Sequence, residues 1–159
     1  GKSGHLVGAV LLALLLGPFA GILTMAIVLG VQAVLLGDGG MTTYGANVVN
    51  IALLGSFSYY IVKLGNPHPY GRRRFMLVVF LASWSSVVVA AAAAGVEIGL
   101  SPAFAEAGGL AVTLPAMLAW HVLIGVLEGG ITVVIASYLT KSAPYLLKEI
   151  GPLVEVGPA

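Results

Sequence analysis

Long apolar runs alternate along this chain with short polar interruptions. Four of the runs approach the ~20 residues that an α-helix needs to cross the hydrocarbon core of a bilayer. The predicted spans are Phe19 to Leu36, Asn47 to Lys63, Phe75 to Val96, and Ala111 to about Leu139. A fifth run, Leu6 to Leu16, is too short to cross alone. The pattern predicts an all-α fold, a polytopic transmembrane bundle of about five helices.

The interruptions divide the chain further. We expect residues 1–140 to form a single transmembrane domain and residues 141–159 to form a frayed C-terminal tail. Glu97 to Gly109 is predicted to be a polar connection between two spans. Val87 to Ala94 contains only valine and alanine, which allows another backbone to approach closely. We expect the face from Val87 to Gly95 to contact a partner protein.

The most polar interruption is Gly37 to Asn50, which reads GDGGMTTYGANVVN. Glycine is used where backbone turns sharply or approaches another group closely. Irregular backbone near a membrane is tolerated where it is buried in protein or lines a cavity. Two interpretations follow: an ordinary exposed turn, or a loop that folds back over a binding site.

Composition narrows the class of protein. Of the 159 residues, 59% are hydrophobic and 8% are charged, against roughly 25% charged residues in soluble domains. The chain has no cysteine, which excludes disulfides and thiolate metal sites. We find no serine, histidine and carboxylate set for a hydrolase and no phosphate-binding loop. The net charge of +1 gives no indication of nucleic-acid binding. We therefore expect no enzyme.

The basic residues predict the orientation in the membrane. If each long run crosses once, six basic residues fall on one side: Lys63, Arg72, Arg73, Arg74, Lys141 and Lys148. By the positive-inside rule this side is cytoplasmic. We therefore expect the Arg72–Arg74 loop and the C-terminus to be cytoplasmic. His5 and the Gly37–Gly45 loop are then extracytoplasmic.

His5 is the first candidate for chemistry. A neutral imidazole is the commonest protein ligand for divalent transition metals. One histidine is a weak signal, because transition-metal sites usually take three or more protein donors. The alternative is an interfacial histidine whose polar tip is satisfied by water.

His121 and Glu128 lie seven residues apart in the last span, on one helical face. An ionisable group within a membrane span is costly and must face protein or water, so Glu128 is a functional candidate. The alternative is a structural glutamate bonded to the polar loop, for example to the Asn47 or Asn50 amide. Gly125 and Gly129 flank Glu128 with a spacing that brings another helix close.

Four stretches together resemble one family of membrane proteins. They are Gly1 to Gly8 (GKSGHLVG), Leu16 to Ala20 (LGPFA), Asp38 to Asn47 (DGGMTTYGAN) and His121 to Ile131 (HVLIGVLEGGI). In this order they are similar to the CbiM/NikM family, the substrate-capture membrane components of energy-coupling-factor (ECF) transporters for cobalt and nickel. The resemblance covers residues 1 to about 140.

This resemblance implies a substrate-binding domain that captures Co(II) or Ni(II) outside a prokaryotic cell and releases the ion inward. It also implies partners: a transmembrane coupling component and cytoplasmic ATPase subunits that hydrolyse ATP, with no organic cofactor. In the family the ion is held by a Met-His start and by the histidine of a Ser-Gly-His-Leu motif, which corresponds to His5. The printed chain lacks the Met-His start, so we expect a separate piece or a shortened relative.

The resemblance also suggests roles around the ligand. We expect the polar loop to pack over the metal site, with Ser3, Asn47 and Asn50 as orienting hydrogen-bond partners. His121 and Glu128 would brace the loop from below. Two other interpretations stay open: a helical scaffold subunit that binds no metal, and a proton or ion pathway centred on Glu128.

Overall fold

The computed structural model describes residues 7–65 and 71–150, with side chains as far as residue 147. The helices are α1 (Ala9–Leu16), α2 (Pro18–Leu36), α3 (Tyr44–Gly65), α4 (Arg72–Leu100), α5 (Pro102–Ala105) and α6 (Gly109–Ser142), followed by a 3-10 helix (Pro144–Ile150). No strand occurs within these ranges. The predicted all-α fold is confirmed.

Helices α2, α3, α4 and α6 are long and apolar enough to cross a membrane. Helix α1 has only eight residues and rises about 12 Å, less than half the thickness of a bilayer core. The prediction of four spans and one short helix is therefore confirmed. The chain is a multi-pass membrane protein in which α1 reaches only part of the way across.

The end of α4 differs from the prediction. We expected Glu97 to begin a polar connection, but the helix continues to Leu100 and carries Glu97 on its last turns. Glutamate is a good helix former, so it does not end a helix by itself. The helix stops at Ser101, whose backbone is extended, because the residue before a proline, here Pro102, is disfavoured in the helical conformation.

Helices α4 and α6 pack closely along their length through glycines. A Cβ atom at Gly125 would lie 3.0 Å from the Trp84 ring, and one at Gly129 would lie 2.8 Å from the Phe80 ring. The predicted close approach of another helix to this glycine pair is confirmed, and that helix is α4. Nearer the other end of the α4–α6 contact, a Cβ at Gly95 would lie 3.2 Å from the Leu114 Cα.

Part of the stretch from Val87 to Gly95 faces the interior of the chain. Val87, Ala91 and Gly95 are buried, and Gly95 packs against the antiparallel neighbour α6. Small residues allow close helix contact but do not say which helix makes it. Val89 is exposed, and the expected contact of this stretch with a partner protein stays a prediction.

Helix α1 lies among the four spans. Its residues Val10, Ala13 and Leu14 are fully buried in a cluster with side chains from α3, α4 and α6: Tyr59, Val62, Phe75, Val78, Val79, Ala82 and Ala136. Helix α2 also packs against α1, where a Cβ at Gly21 would lie 3.0 Å from the Ala13 Cα. The short helix is therefore an interior element of the bundle.

The segment after α6 folds back onto this interior. Leu147, in the Pro144–Ile150 helix, is buried and belongs to the same cluster as Val10, Ala13 and Leu14. We predicted a frayed tail from residue 141, and for residues 144–150 this is wrong. Hydropathy did not reveal it because a single apolar side chain is enough to dock so short a segment.

Two arginines bind neighbouring helices at the opposite end of the bundle from the polar loop. Arg72 donates to the Ser137 hydroxyl of α6, and Arg74 Nε donates to the Gly65 carbonyl at the end of α3 at 3.2 Å. The last carbonyls of a helix lack intrahelical partners and attract cations. These contacts place Lys63, Arg72–Arg74 and Lys141 at one end of the molecule.

Adjacent glycines of α6 give a matched test of the packing between α4 and α6. Gly129→Ala should lower the free energy of unfolding by about 1–3 kcal/mol, the usual cost of overpacking, because the added methyl meets Phe80. Gly130→Ala, where no atom lies within 4 Å of the added methyl, should leave stability equal or slightly higher. Thermal unfolding in one detergent compares the two variants, and equal effects would contradict the contact.

Candidate functional site at the start of helix α1

Helix α1 begins in the interior of the bundle, where the two amides that precede it meet the Glu128 carboxylate. The Val7 amide donates to Glu128 Oε2 at 2.7 Å, and the Gly8 amide donates to Oε1 at 3.0 Å. Glu128 lies about half-way along α6 and is 3% exposed. The carboxylate thus holds the N-cap residue of α1 and the residue before it.

Gly8 shapes this start. It has φ +71°, in the left-handed region, and no side chain caps the helix from this position. Side chains other than glycine disfavour this conformation. The turn therefore needs a glycine, which offers no side-chain acceptor of its own. Glu128, 120 residues away in sequence, accepts from the Gly8 amide itself.

Glu128 has two described partners that the sequence did not indicate, the amides of Val7 and Gly8. Its expected contact with the polar loop, for example through Asn47 or Asn50, stays a prediction. His121 Nδ1 lies 2.7 Å from the Met117 carbonyl oxygen on its own helix. The expected bracing of the loop by His121 stays a prediction.

Asn50 forms a second polar contact between helices. It is buried on α3, and its Nδ2 donates to Glu97 Oε2 of α4 at 2.8 Å. The sequence did not indicate this pair, because Glu97 was assigned to a connection. Once Glu97 is placed on α4, the antiparallel arrangement of α3 and α4 brings the two side chains to one level.

The polar loop is held by its own side chains. Asn47 Nδ2 donates to the Gly39 carbonyl at 3.2 Å, and the Thr43 hydroxyl donates to the same carbonyl and to that of Gly40. The Tyr44 hydroxyl ties the loop to α2 through the Ala26 carbonyl at 3.0 Å. The loop is therefore an ordered cap between α2 and α3, whereas its predicted packing over a metal stays a prediction.

His5 and Ser3 lie outside the described residues. Within residues 7–65 and 71–150, no group of three or more histidine, aspartate and glutamate side chains could hold a metal ion. What the structure describes of this region is the chain that directly follows the Ser-Gly-His-Leu motif. Val7 and Gly8 follow His5 by two and three positions, and both amides are held by Glu128.

An exchange of two residues tests the contact between Asn50 and Glu97. Asn50→Asp should destabilise the protein by about 1–3 kcal/mol, because a donor is lost and two carboxylates face each other. Adding Glu97→Gln restores an amide opposite a carboxylate and should recover most of that loss. Thermal unfolding of the four combinations measures the coupling. Strictly additive effects would contradict the bond.

Comparison with known proteins gives a consistent result. The sequence profile of a family described as "cobalt uptake substrate-specific transmembrane region", CbiM, matches residues 1–146. A protein of Archaeoglobus fulgidus named as a fused nickel transport protein, NikMN, is 41% identical over 150 residues. The fused nickel transport protein NikMN of Rhodobacter capsulatus is 35% identical over 159 residues.

These matches cover 94% and 92% of this chain but 48% and 46% of the two relatives. The chain thus spans about half the length of these relatives. Among solved structures, the crystal structure of a transition metal transporter is 34% identical, with a TM-score of 0.79. That likeness covers 89% of this chain and 66% of the other.

Proposed function

Because the chain belongs to the CbiM family of substrate-specific transmembrane regions for cobalt uptake, we propose that it captures divalent cobalt or nickel ions for uptake into the cell. The ion is the transported substrate, and the chain itself carries out no covalent chemistry. Relatives named as nickel transport proteins support the inclusion of nickel. A transition metal transporter with the same fold supports the same class of substrate.

One observation carries the proposal: the chain that follows His5 enters the bundle and is fixed there. Helix α1 is too short to cross the membrane and starts at the Glu128 carboxylate. Membrane transporters often place ion sites where a discontinuous helix ends near the midplane of the bilayer.

We propose His5 as a metal ligand within this arrangement. One imidazole is too few donors for a transition metal, and the family resemblance implies that a Met-His start provides further nitrogens. Four nitrogens in a plane suit Ni(II), whereas additional donors would suit octahedral Co(II). Ser3, Asn47 and Asn50 are proposed to orient the ligands. Asn50 is itself oriented by Glu97.

Energy for uptake is proposed to come from outside this chain. The ECF arrangement pairs a capture component with a transmembrane coupling component and cytoplasmic ATPase subunits. Capture alone requires only that the site bind the ion on one side and lose it on the other. The four spans and the half-length α1 are consistent with a capture role, which requires no nucleotide site.

The proposed role of His5 as a metal ligand is tested by measuring metal binding. His5→Ala should weaken Ni(II) and Co(II) binding by about a hundredfold or more, because a first-sphere donor is lost, whereas outer partners cost about 10–100-fold. Isothermal titration calorimetry of the purified native protein measures it, with His68→Ala as the control for a histidine outside the four motif stretches. Equal binding by both variants would exclude His5. No binding by the unmodified protein would instead favour the scaffold interpretation.

The orientation in the membrane is proposed from the basic residues. Lys63, Arg72–Arg74 and Lys141 share the end opposite the polar loop, and the positive-inside rule makes that end cytoplasmic. The segment after α6 then lies on the same, cytoplasmic side. The membrane that the protein spans is proposed to be the plasma membrane of a prokaryote.

Cysteine labelling tests this orientation directly, because the chain has no cysteine of its own. In intact cells, an impermeant thiol reagent should label Met41→Cys in the exposed loop. It should label the exposed position of Arg73→Cys only after the membrane is opened. Labelling in the reverse order would show the opposite orientation.

A further inference from the structure

We propose that Glu128 is a positioning residue for ion capture. Its carboxylate accepts from the amides of Val7 and Gly8, the two residues that precede α1, and thereby fixes the backbone two and three positions after His5. This inference rests on the proposed function. It differs from the role expected from sequence, in which Glu128 braced the polar loop.

The carboxylate binds the backbone that leads into α1. Each carboxylate oxygen accepts one amide hydrogen, at 2.7 Å from Val7 and 3.0 Å from Gly8. N-caps are normally provided by a serine, threonine, aspartate or asparagine at the helix start. Here that position is Gly8, which has no capping side chain. The two bonds to Glu128 are therefore the described side-chain contacts that fix the backbone at the entry to α1.

The carboxylate itself is attached to a rigid support. Glu128 lies between Gly125 and Gly129, and these glycines bring the α6 backbone against Trp84 and Phe80 of α4. Trp84 Nε1 also donates to the Val122 carbonyl of α6 at 3.2 Å. Close packing of two long helices restricts where the carboxylate can move. The start of α1 is therefore held in a fixed position relative to α4 and α6.

The charge adds a second effect. A carboxylate in a poorly screened interior is stabilised by hydrogen bonds from amides and by the positive end of a helix dipole. A divalent cation bound a few residues earlier in the chain would be attracted by the same negative charge, and at low dielectric such attraction is strong. Glu128 thus favours the conformation of the backbone at Val7 and Gly8, and its negative charge favours binding of a cation.

Glutamine cannot reproduce this cap. Its amide offers one oxygen acceptor, and its nitrogen is a donor that would face one of the two backbone donors. Glu128→Gln therefore removes the charge and one hydrogen bond while it keeps the size of the side chain. Glu128→Asp keeps the charge and both acceptors but withdraws them by one methylene. Glu106→Gln, at an exposed position, makes the same chemical change away from α1.

The experiment combines three readouts on the native protein in detergent. Amide hydrogen exchange at Val7 and Gly8 should be about tenfold or more faster in Glu128→Gln, because protection follows local hydrogen bonding. Ni(II) affinity should fall about 10–100-fold, as for other groups that orient a metal ligand. The absorption bands of bound Co(II) should shift, because a displaced imidazole changes the ligand field. Glu106→Gln should leave all three unchanged, and Glu128→Asp should lie between the unmodified protein and Glu128→Gln.

The outcomes separate this inference from the proposed function. If the unmodified protein binds neither metal, the proposed function fails, and the positioning role fails with it. If it binds metal and Glu128→Gln lowers only thermal stability, with affinity and Co(II) bands unchanged, the positioning role alone is overturned. If Glu128→Gln does not fold, Glu128→Asp decides: unchanged affinity and bands overturn the inference, and weaker affinity with shifted bands supports it.

Discussion

A carboxylate in the middle of a membrane span cannot be left to the lipid, and this constraint organises the interior of the protein. Burying a charge without partners costs far more than any single contact returns. Glu128 accepts from the two amides that precede α1, which equally need an acceptor inside the bundle. Each group thus removes the penalty of the other. The short helix can therefore start inside the bundle, where unpaired amides would otherwise be excluded.

Close contact between α4 and α6 makes this pairing specific. The glycines on either side of Glu128 bring its backbone against Phe80 and Trp84, so that the carboxylate is presented from a packed surface. Asn50 and Glu97 join α3 to α4 nearer the polar loop. The two contacts fix neighbouring elements at different depths of the bundle. The side chains of a site between these two contacts would be positioned by helices, which hold side chains more accurately than loops do.

The sequence predicted the parts of this structure that depend on composition along one helix. Apolar runs identified the spans, and the Gly125 and Gly129 spacing identified a close helix contact. It did not predict the partner of Glu128, because backbone amides carry no residue-specific signal. It missed the pair of Asn50 and Glu97 because the end of α4 was placed four residues too early, before Ser101 and Pro102. The docking of Leu147 was also missed. The ligand role of His5 came from family resemblance, since a single imidazole has no periodicity that would reveal it.

The burial of Leu147 has a mechanical consequence. Helix α1 is held at its first residues by Glu128, and its buried side chains share one cluster with Leu147. A packed helix moves as a rod, because its interior resists compression. A shift at the start of α1 would therefore displace the segment from Pro144 to Ile150 as well. The surface near the end of the chain is thus mechanically linked to the centre of the membrane, and a protein that contacts this surface could sense the state of the interior without entering it.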